Sequence, residues 1–374
     1  MVNARYEELL AQRLKKHYSL CKYCFDRQLT YVKERCAKNL DKCYICCGLM
    51  SQLDSIIEKI IDNVEKKYEF NTFLLGASLP AQLYEREDQI RSRFKIRGKE
   101  SIKKQLTKEL GIKFIKITKK KVGYLIPDIT INLIIDDQKN VNIISKAYPI
   151  ILTGRYIKKC RGLSQKQGKY KQCECKEPID CDYSRLAGQH SIEDIIAKKL
   201  ISITKGENPK FLWIGSEDQN SLVLGTGRPF FVRISNPRVR ILKKVIKIST
   251  DGIYATINGK SKKIPESPIL FVTKTKILVQ SNEPLRKNEL TKLNALGNSL
   301  VKFRIKSKIV TKKIYSVNVR KINDRHFFLT IVADGGLLIK QFVGGQEYAE
   351  PNVSEIIGTK SECMLFDILD VRIQ

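Results

Sequence analysis

The chain reads as an α+β protein, and three observations carry that reading. Through about residue 150, helical and strand patterns alternate. Beyond it come many strands and few helices, the pattern of a large mixed, mostly antiparallel sheet flanked by helices. With 374 residues, 42% of them hydrophobic, two or three domains can each bury a core. Three regions follow: a cysteine-bearing helical region over 1–50, a mixed α/β region over 51–150, and a sheet-rich region over 151–374.

The elements follow in order. Leu9, Leu10 and Leu14, flanked by Glu7, Glu8, Lys15 and Lys16, have helical spacing that ends near His17. Leu53 to Ile61 reads as a helix with a continuous apolar face, Phe70 to Leu75 as a buried strand, and Ser101 to Leu110 as a helix. Ile126 to Ile135 alternates as a strand does, Asp136 and Asp137 supply a turn, and Asn140 to Ser145 returns as the hairpin partner. Ser191 opens a helix through Ile203, with Asp194 as its capping partner. Phe230 to Ile234 is a strand stopped by Asn236 and Pro237. Val245 to Ile257 and Ile269 to Val279 read as further strands. Asn288 precedes a short helix over Glu289 to Leu296 that Gly297 stops. Val301 to Ile309, Ile314 to Val319 and Phe327 to Val332 add three strands. No internal repeat or low-complexity segment is present.

Lys and Arg total 69 against 39 acidic residues, a net charge of +30 spread along the chain. Such charge favours a polyanionic partner, most simply nucleic acid. A membrane surface is not expected, because no segment forms a basic amphipathic helix with an aromatic edge. No apolar run approaches the ~18 residues of a membrane span. Glu7 and Glu8 argue against a signal peptide at the N-terminus, so a cytoplasmic protein is expected. Eleven cysteines in that setting point to metal rather than disulfides.

Cys21-Lys22-Tyr23-Cys24 and Cys43-Tyr44-Ile45-Cys46 are two CxxC knuckles separated by 18 residues. Each tight turn presents two sulfurs, so four thiolates can converge on one Zn²⁺. Cys47 could replace Cys46, and Cys36 between the pairs reads as packing. A redox dithiol or buried unliganded thiols are the competing readings. Four sulfur ligands would leave no open position for water, so the zinc would be structural. A second group, Cys160, Cys173, Cys175 and Cys181, lacks a CxxC pair and lies in a lysine-rich loop, which reads more simply as a mobile basic loop than as a second metal site.

The stretch from Gly215 to Phe230, GSEDQNSLVLGTGRPF, sets the acidic pair Glu217-Asp218 in an otherwise basic chain. Carboxylates oppose the phosphates that such a surface attracts. Flanking glycines let backbone approach a bulky ligand, and Arg228 is a natural phosphate contact. The functional reading is a carboxylate aimed at a nucleotide from a basic cleft; the plain alternative is a polar turn between helix and strand.

Several segments line up in order: Phe73 to Pro80, Glu85 to Lys95, Pro127-Asp128-Ile129, Gly154 to Gln165, the Glu217-Asp218 segment, and Gly225 to Phe230. In that order they resemble the tRNA pseudouridine synthases of the Pus-ten family over nearly the whole chain, most specifically from Asp218 to Pro237. The resemblance implies a zinc-bearing, THUMP-like N-terminal α/β region followed by a pseudouridine synthase catalytic domain. It also implies isomerisation of uridine in the T-loop of tRNA, at positions 54 and 55, with structural Zn²⁺ and no organic cofactor. The partner would be the T-arm of tRNA, bound by a monomer.

Residue by residue, the family's catalytic aspartate, last in a Gly-Arg-Glu-Asp motif, falls on Asp218. Its Lys-x-Tyr motif falls on Lys313-Ile314-Tyr315, making Tyr315 the active-site tyrosine. An Ile-Lys pair falls on Ile339 and Lys340. Ser216, Asn220 and Leu222 stand where the family usually has Arg, often Asp and often Arg, and Leu163-Ser164-Gln165 replaces Leu-Pro-Gln. A C-terminal leucine falls on Phe366, or on Leu365 with a one-residue shift. Those departures touch substrate contacts and loop rigidity more than the nucleophile.

In such an enzyme Lys340 would keep Asp218 ionised, and Tyr315 would stack on the rotated base and steer a proton. Arg155 and Arg161 open a basic loop, through Lys176, suited to the displaced strand. Arg228 and Arg233 would contact phosphates in the cleft, Ile339 would lie against the substrate, and Lys119 to Lys121 would extend the footprint. A zinc-containing RNA-binding protein without catalysis is the alternative, kept alive by Ser216 and Asn220.

Overall fold

The computed structural model describes residues 4–33, 42–166, 191–266, 268–305, 308–345 and 349–374. These form two compact units. One comprises residues 1–149 with 236–241, the other residues 150–235 with 242–374.

In the first unit, α1 (Ala4–His17) carries Glu7 in its first turn and Lys15, Lys16 and His17 in its last, which suits the helix dipole. The short α2 (Lys22–Asp26) is capped by Cys21, whose sulfur accepts from the Cys24 amide. Then come α3 (Leu53–Val64), β1 (Thr72–Ser78), α4 (Ala81–Phe94), α5 (Ile102–Thr118), β2 (Lys121–Val122), β3 (Ile129–Ile135) and β4 (Val141–Ala147). The four-stranded sheet has the order β2-β1-β3-β4. β1 runs parallel to β2 and β3, while β3 and β4 form the expected antiparallel hairpin. Every second residue of β3 is buried, which fixes its register against the helices. One continuous core runs from Leu10 and Leu14 through the knuckle cysteines to Ile131 and Ile135.

Two elements depart from the sequence expectation. β1 begins at Thr72, and only Phe73 and Ala77 along it are buried, so it is half-covered rather than a core strand. α5 runs on past Leu110 to Thr118, because Gly111 faces open space and does not interrupt it. Residues 236–241 join this unit through specific bonds. Asn236 Oδ1 accepts from the Ala147 amide at 2.9 Å, and Arg240 Nε pairs with Asp128 Oδ1 at 3.1 Å.

The second unit contains β5 (Ile150–Lys158), α6 (Ile192–Thr204), β6 (Glu207–Trp213), β7 (Val223–Ser235), β8 (Ile246–Thr250), β9 (Ile253–Ser261) and β10 (Phe271–Ser281). It continues with α7 (Lys287–Thr291), β11 (Leu300–Ile305), β12 (Lys308–Lys321), β13 (His326–Asp334), α8 (Ile339–Gly344), α9 (Val353–Ile357) and β14 (Ser361–Ile373). Nine strands follow the order β11-β12-β13-β10-β14-β7-β5-β9-β8, and β6 adds to β7. All pairings are antiparallel except β14 with β7, which meet in parallel at Ile368 and Val223. A mixed, mostly antiparallel sheet with helices was therefore the right expectation. Two cores flank that parallel step. One packs Ile192, Ile196 and Leu200 of α6 with Phe230 and Val232; the other packs Phe342 and Val353 with Leu329 and Ile331.

Some boundaries move. Val245 to Ile257 is a hairpin of two strands turning at Gly252, which has φ 78°. Ile309 belongs to β12, not to the strand before it. The helix expected after Asn288 begins earlier, because the Glu289 carboxylate accepts from the Arg286 amide at 2.7 Å and makes Arg286 the cap. It then tightens to a 3-10 turn over Lys292–Leu296 before Gly297. Among the described residues, no helix is long and apolar enough to cross a membrane.

Candidate active site

The acidic pair lies in the loop between β6 and β7, and its two carboxylates take opposite directions. The side chain of Glu217 is fully buried, with Oε2 accepting from the Tyr156 hydroxyl at 2.8 Å and from Arg228 Nε at 3.0 Å. Lys158 Nζ stands 3.5 Å from its other oxygen. Arg228 also donates to the carbonyls of Ile214 at 2.8 Å and Ser216 at 3.2 Å, so it ties down the stretch leading into the pair. Gly215 is required there: its φ is 81°, and a Cβ would lie 2.4 Å from Arg228 Nη1.

Asp218 turns outward. Its Oδ2 accepts from Lys340 Nζ at 2.8 Å, and its Oδ1 accepts from the Asn220 amide at 3.2 Å. Burial pushes this carboxyl's pKa up, but the Lys340 hydrogen bond and the Asn220 amide outweigh it and hold the pKa below the usual aspartate value. The same bond raises the Lys340 pKa. The pair borders a cavity of about 400 Å³, walled by Gly215 to Asp218 on one side and Gly336 to Gln341 on the other, with Phe271 and Phe366 as apolar surface. A carboxylate paired with a largely exposed lysine thus borders a cavity with apolar surface from Phe271 and Phe366.

The other expected residues fall in different places. Ile339, first residue of α8, lines the cavity beside Lys340. Tyr315 is not among the cavity-lining residues. Its hydroxyl donates to Asp334 Oδ1 at 2.8 Å, a bond that raises its pKa, and Asp334 leads through Gly335 and Gly336 into the wall that carries Lys340.

Arg228 is buried beneath the loop with its guanidinium held by Glu217, and it also lines the cavity. Arg155 donates to the Thr226 and Gly227 carbonyls, both at 2.8 Å, and to the Val371 carbonyl. Arg161 grips Asp367 with both arms, at 2.8 and 3.0 Å, and bonds the Asn220 carbonyl. Arg233 is exposed further along β7, opposite Ile151 and Lys210. Residues 167–176 of the basic loop lie outside the described residues.

Sequence reasoning missed Lys158, Tyr156 and Gln165, whose amide donates to the Tyr156 hydroxyl at 2.8 Å. A signal existed for Lys158. On β5, Ile150, Leu152, Gly154, Tyr156 and Lys158 occupy the buried positions of one alternating face, so period two alone puts a lysine inward.

In the first unit, the sulfurs of Cys21, Cys24, Cys43 and Cys46 all lie within 4.8 Å of one another and all four residues are buried. Cys21 and Cys46 sulfurs are 3.8 Å apart, the edge expected of a tetrahedron whose zinc–sulfur bonds are ~2.3 Å. The set therefore fits a zinc ion. Two donors add to it: the Cys24 amide reaches Cys21 Sγ at 3.4 Å, and Arg27 Nη1 reaches Cys24 Sγ at 3.2 Å. Cys46, not Cys47, completes the group; Cys47 has φ 48°, and its sulfur contacts Arg86 and the Tyr44 carbonyl. Cys36, Cys173, Cys175 and Cys181 lie outside the described residues, so the second cysteine group is not described.

Comparison with known proteins finds matches over most of the chain. The family model for the Pus10 C-terminal domain matches residues 151–372, and that for the archaeal Pus10 THUMP domain matches residues 56–136. A protein of Nitrosopumilus maritimus named tRNA pseudouridine synthase Pus10 is 33% identical over 98% of this chain and 98% of its own. Proteins of the same name are 28% identical in Cenarchaeum symbiosum, over 89% of this chain and 82% of theirs, and in Korarchaeum cryptofilum, over 89% and 93%.

Proposed function

Because this chain belongs to the Pus10 family, we propose that it is a tRNA pseudouridine synthase, an isomerase, acting on uridine in the T-loop at position 54, position 55 or both. Asp218 is the catalytic carboxylate in this reading. The observation that carries it is the Asp218–Lys340 pair, 2.8 Å apart at the mouth of the cavity.

The reaction breaks the C1′–N1 bond of uridine, turns the base, and forms a C1′–C5 bond; C5 loses a proton and N1 gains one. Positive charge develops on the ribose as the base departs. An ionised carboxylate serves there as nucleophile or base. Lys340 keeps Asp218 ionised, and Ile339 lies against the substrate. Phe271 and Phe366 give the turning base an apolar surface, while Tyr315, bonded to Asp334, steers a proton from the adjoining strand. A stacked T-loop base must first be flipped out, at a cost of a few kcal/mol, roughly. The exposed Arg233 and the outer edges of Arg155 and Arg161 face phosphates, and Arg228 supports the loop.

The THUMP region, with Lys119 to Lys121, completes the contact with the T-arm. Cys21, Cys24, Cys43 and Cys46 hold one structural Zn²⁺, which ties the knuckles together when bound. The protein works in the cytoplasm as a monomer without an organic cofactor.

Carbodiimide-adduct primer extension on an unmodified tRNA transcript tests the proposal, with wild type and Asp218→Asn in parallel. A T-loop stop with wild type alone supports the reaction, its position and the role of Asp218. Tight binding with no stop from either protein makes this a non-catalytic RNA-binding protein.

A further inference from the structure

Lys158 is the last residue of β5, and its side chain is entirely shielded from water. An ammonium in such a place is costly unless its protons find acceptors. Burial lowers its pKa, while Glu217 opposes that shift. Glu217, however, does not need this lysine for charge balance. Arg228, equally buried, already donates to it at 3.0 Å.

The ammonium instead spends its protons on backbone. Lys158 Nζ donates to the carbonyls of Leu163 at 2.9 Å, Gln219 at 3.0 Å and Asp218 at 3.4 Å. The Glu217 oxygen nearest to it is left without a hydrogen bond. Gln219 and Asp218 are therefore gripped from below through their carbonyls. The Gly162 amide adds a second bond to the Gln219 carbonyl at 3.0 Å, and the Ser221 amide one to the Asp218 carbonyl at 3.0 Å. Two lysines hold one aspartate, Lys340 by its carboxylate and Lys158 by its main chain.

We propose that Lys158 is a positioning residue for the isomerisation, fixing the backbone of Asp218 so that its carboxylate is presented to the cavity. It touches no substrate. The inference rests on the functional reading above, since it concerns the same reaction. A loop anchored by two of its carbonyls, those of Asp218 and Gln219, to a buried cation that also holds the Leu163 carbonyl has little freedom to move, and a carboxylate displaced by about 1 Å loses on the order of 100-fold in rate.

Lys158→Met tests it, because methionine keeps the stem, removes the donors and leaves the Arg228–Glu217 pair neutral. Wild type, Asp218→Asn and Lys158→Met are assayed for turnover on one tRNA transcript, with melting temperature and tRNA affinity measured alongside. The expected result is a folded protein with KM and affinity unchanged and kcat lower on the order of 100-fold. A folded Lys158→Met with wild-type kcat overturns the inference and leaves the functional reading intact. Loss confined to KM overturns it too, since positioning acts in the transition state. Wild type that makes no pseudouridine overturns the functional reading and this inference with it. If Lys158→Met does not fold, Lys158→Gln replaces it, keeping two N–H donors in the same space. There kcat is expected to fall on the order of 10-fold relative to wild type, again with KM unmoved; an unchanged kcat overturns the inference.

Discussion

The ammonium of Lys340 donates to Asp218 Oδ2 at 2.8 Å across 122 residues of chain. The two side chains are unlike in exposure: Lys340 is 67% exposed and Asp218 32%. A largely solvated lysine thus closes over a carboxylate that the loop has already half withdrawn from water. Withdrawal favours the neutral acid, and the lysine restores the anion.

That balance sets a pH dependence. Asp218 has a depressed pKa, so its ionised form persists below the usual aspartate range; with Asp218 as the proposed carboxylate, turnover should be lost only as pH falls through that depressed value. Lys340→Met removes the hydrogen bond and leaves the desolvation. The acid limb of the kcat profile should then move to higher pH, with a lower plateau. An acid limb at the wild-type position would show that Lys340 does not control the ionisation of Asp218.

The four-cysteine group makes a prediction about the first unit. Its sulfurs sit inside the same core as Leu49, Ile56 and Phe73, so metal and core are coupled. Metal analysis should find one zinc per chain. A strong chelator should remove it and lower the melting temperature, and Cys24→Ser should do the same. Cys47→Ser should leave zinc content unchanged, because that sulfur turns toward Arg86.

A buried ion pair close to the knuckles should matter for stability. Arg27 and Glu87 contact each other with side chains 1% and 2% exposed. Glu87 also accepts from the Ile102 amide at 3.0 Å, and Arg27 donates to Gln105 at 2.8 Å, so the pair joins α2, α4 and α5. Arg27→Met removes one cation from Glu87 and leaves it Arg91, whose Nη2 lies 3.3 Å from the same oxygen, so stability should fall by less than the roughly 3 kcal/mol of a carboxylate left with no cation. Urea denaturation should show a lower midpoint at an unchanged slope.

Much of this architecture was legible because period and punctuation agree locally. β3, the Asp136 turn and β4 are one example, and Ser191 capping α6 is another, its hydroxyl accepting from the Asp194 amide at 3.1 Å. What escaped was set by distant partners. β14 has no clean alternation because it pairs with β10 through two register shifts and then meets β7 in parallel. The pairing of Arg228 with Glu217 also escaped, since nothing local announces that the two side chains are buried together. The knuckle spacing left the fourth sulfur open between Cys46 and Cys47; the convergence of the Cys46 sulfur with the other three decides it.

Tyr315 offers the sharpest test of how far the site extends. Its ring is not in the cavity wall, and its hydroxyl is bonded to Asp334, whose other oxygen accepts from the Lys313 amide at 2.8 Å. Asp334 also ends β13 just before the glycines that lead to Lys340. A hydroxyl that steers a proton through this bond should fail whichever partner is altered. Tyr315→Phe and Asp334→Asn should each lower kcat, on the order of 100-fold, while tRNA affinity holds. Because one bond is lost in both, the double variant should be no slower than the slower single one. Two losses that multiply would mean that tyrosine and aspartate act separately, and the proton-steering role would have to be given up.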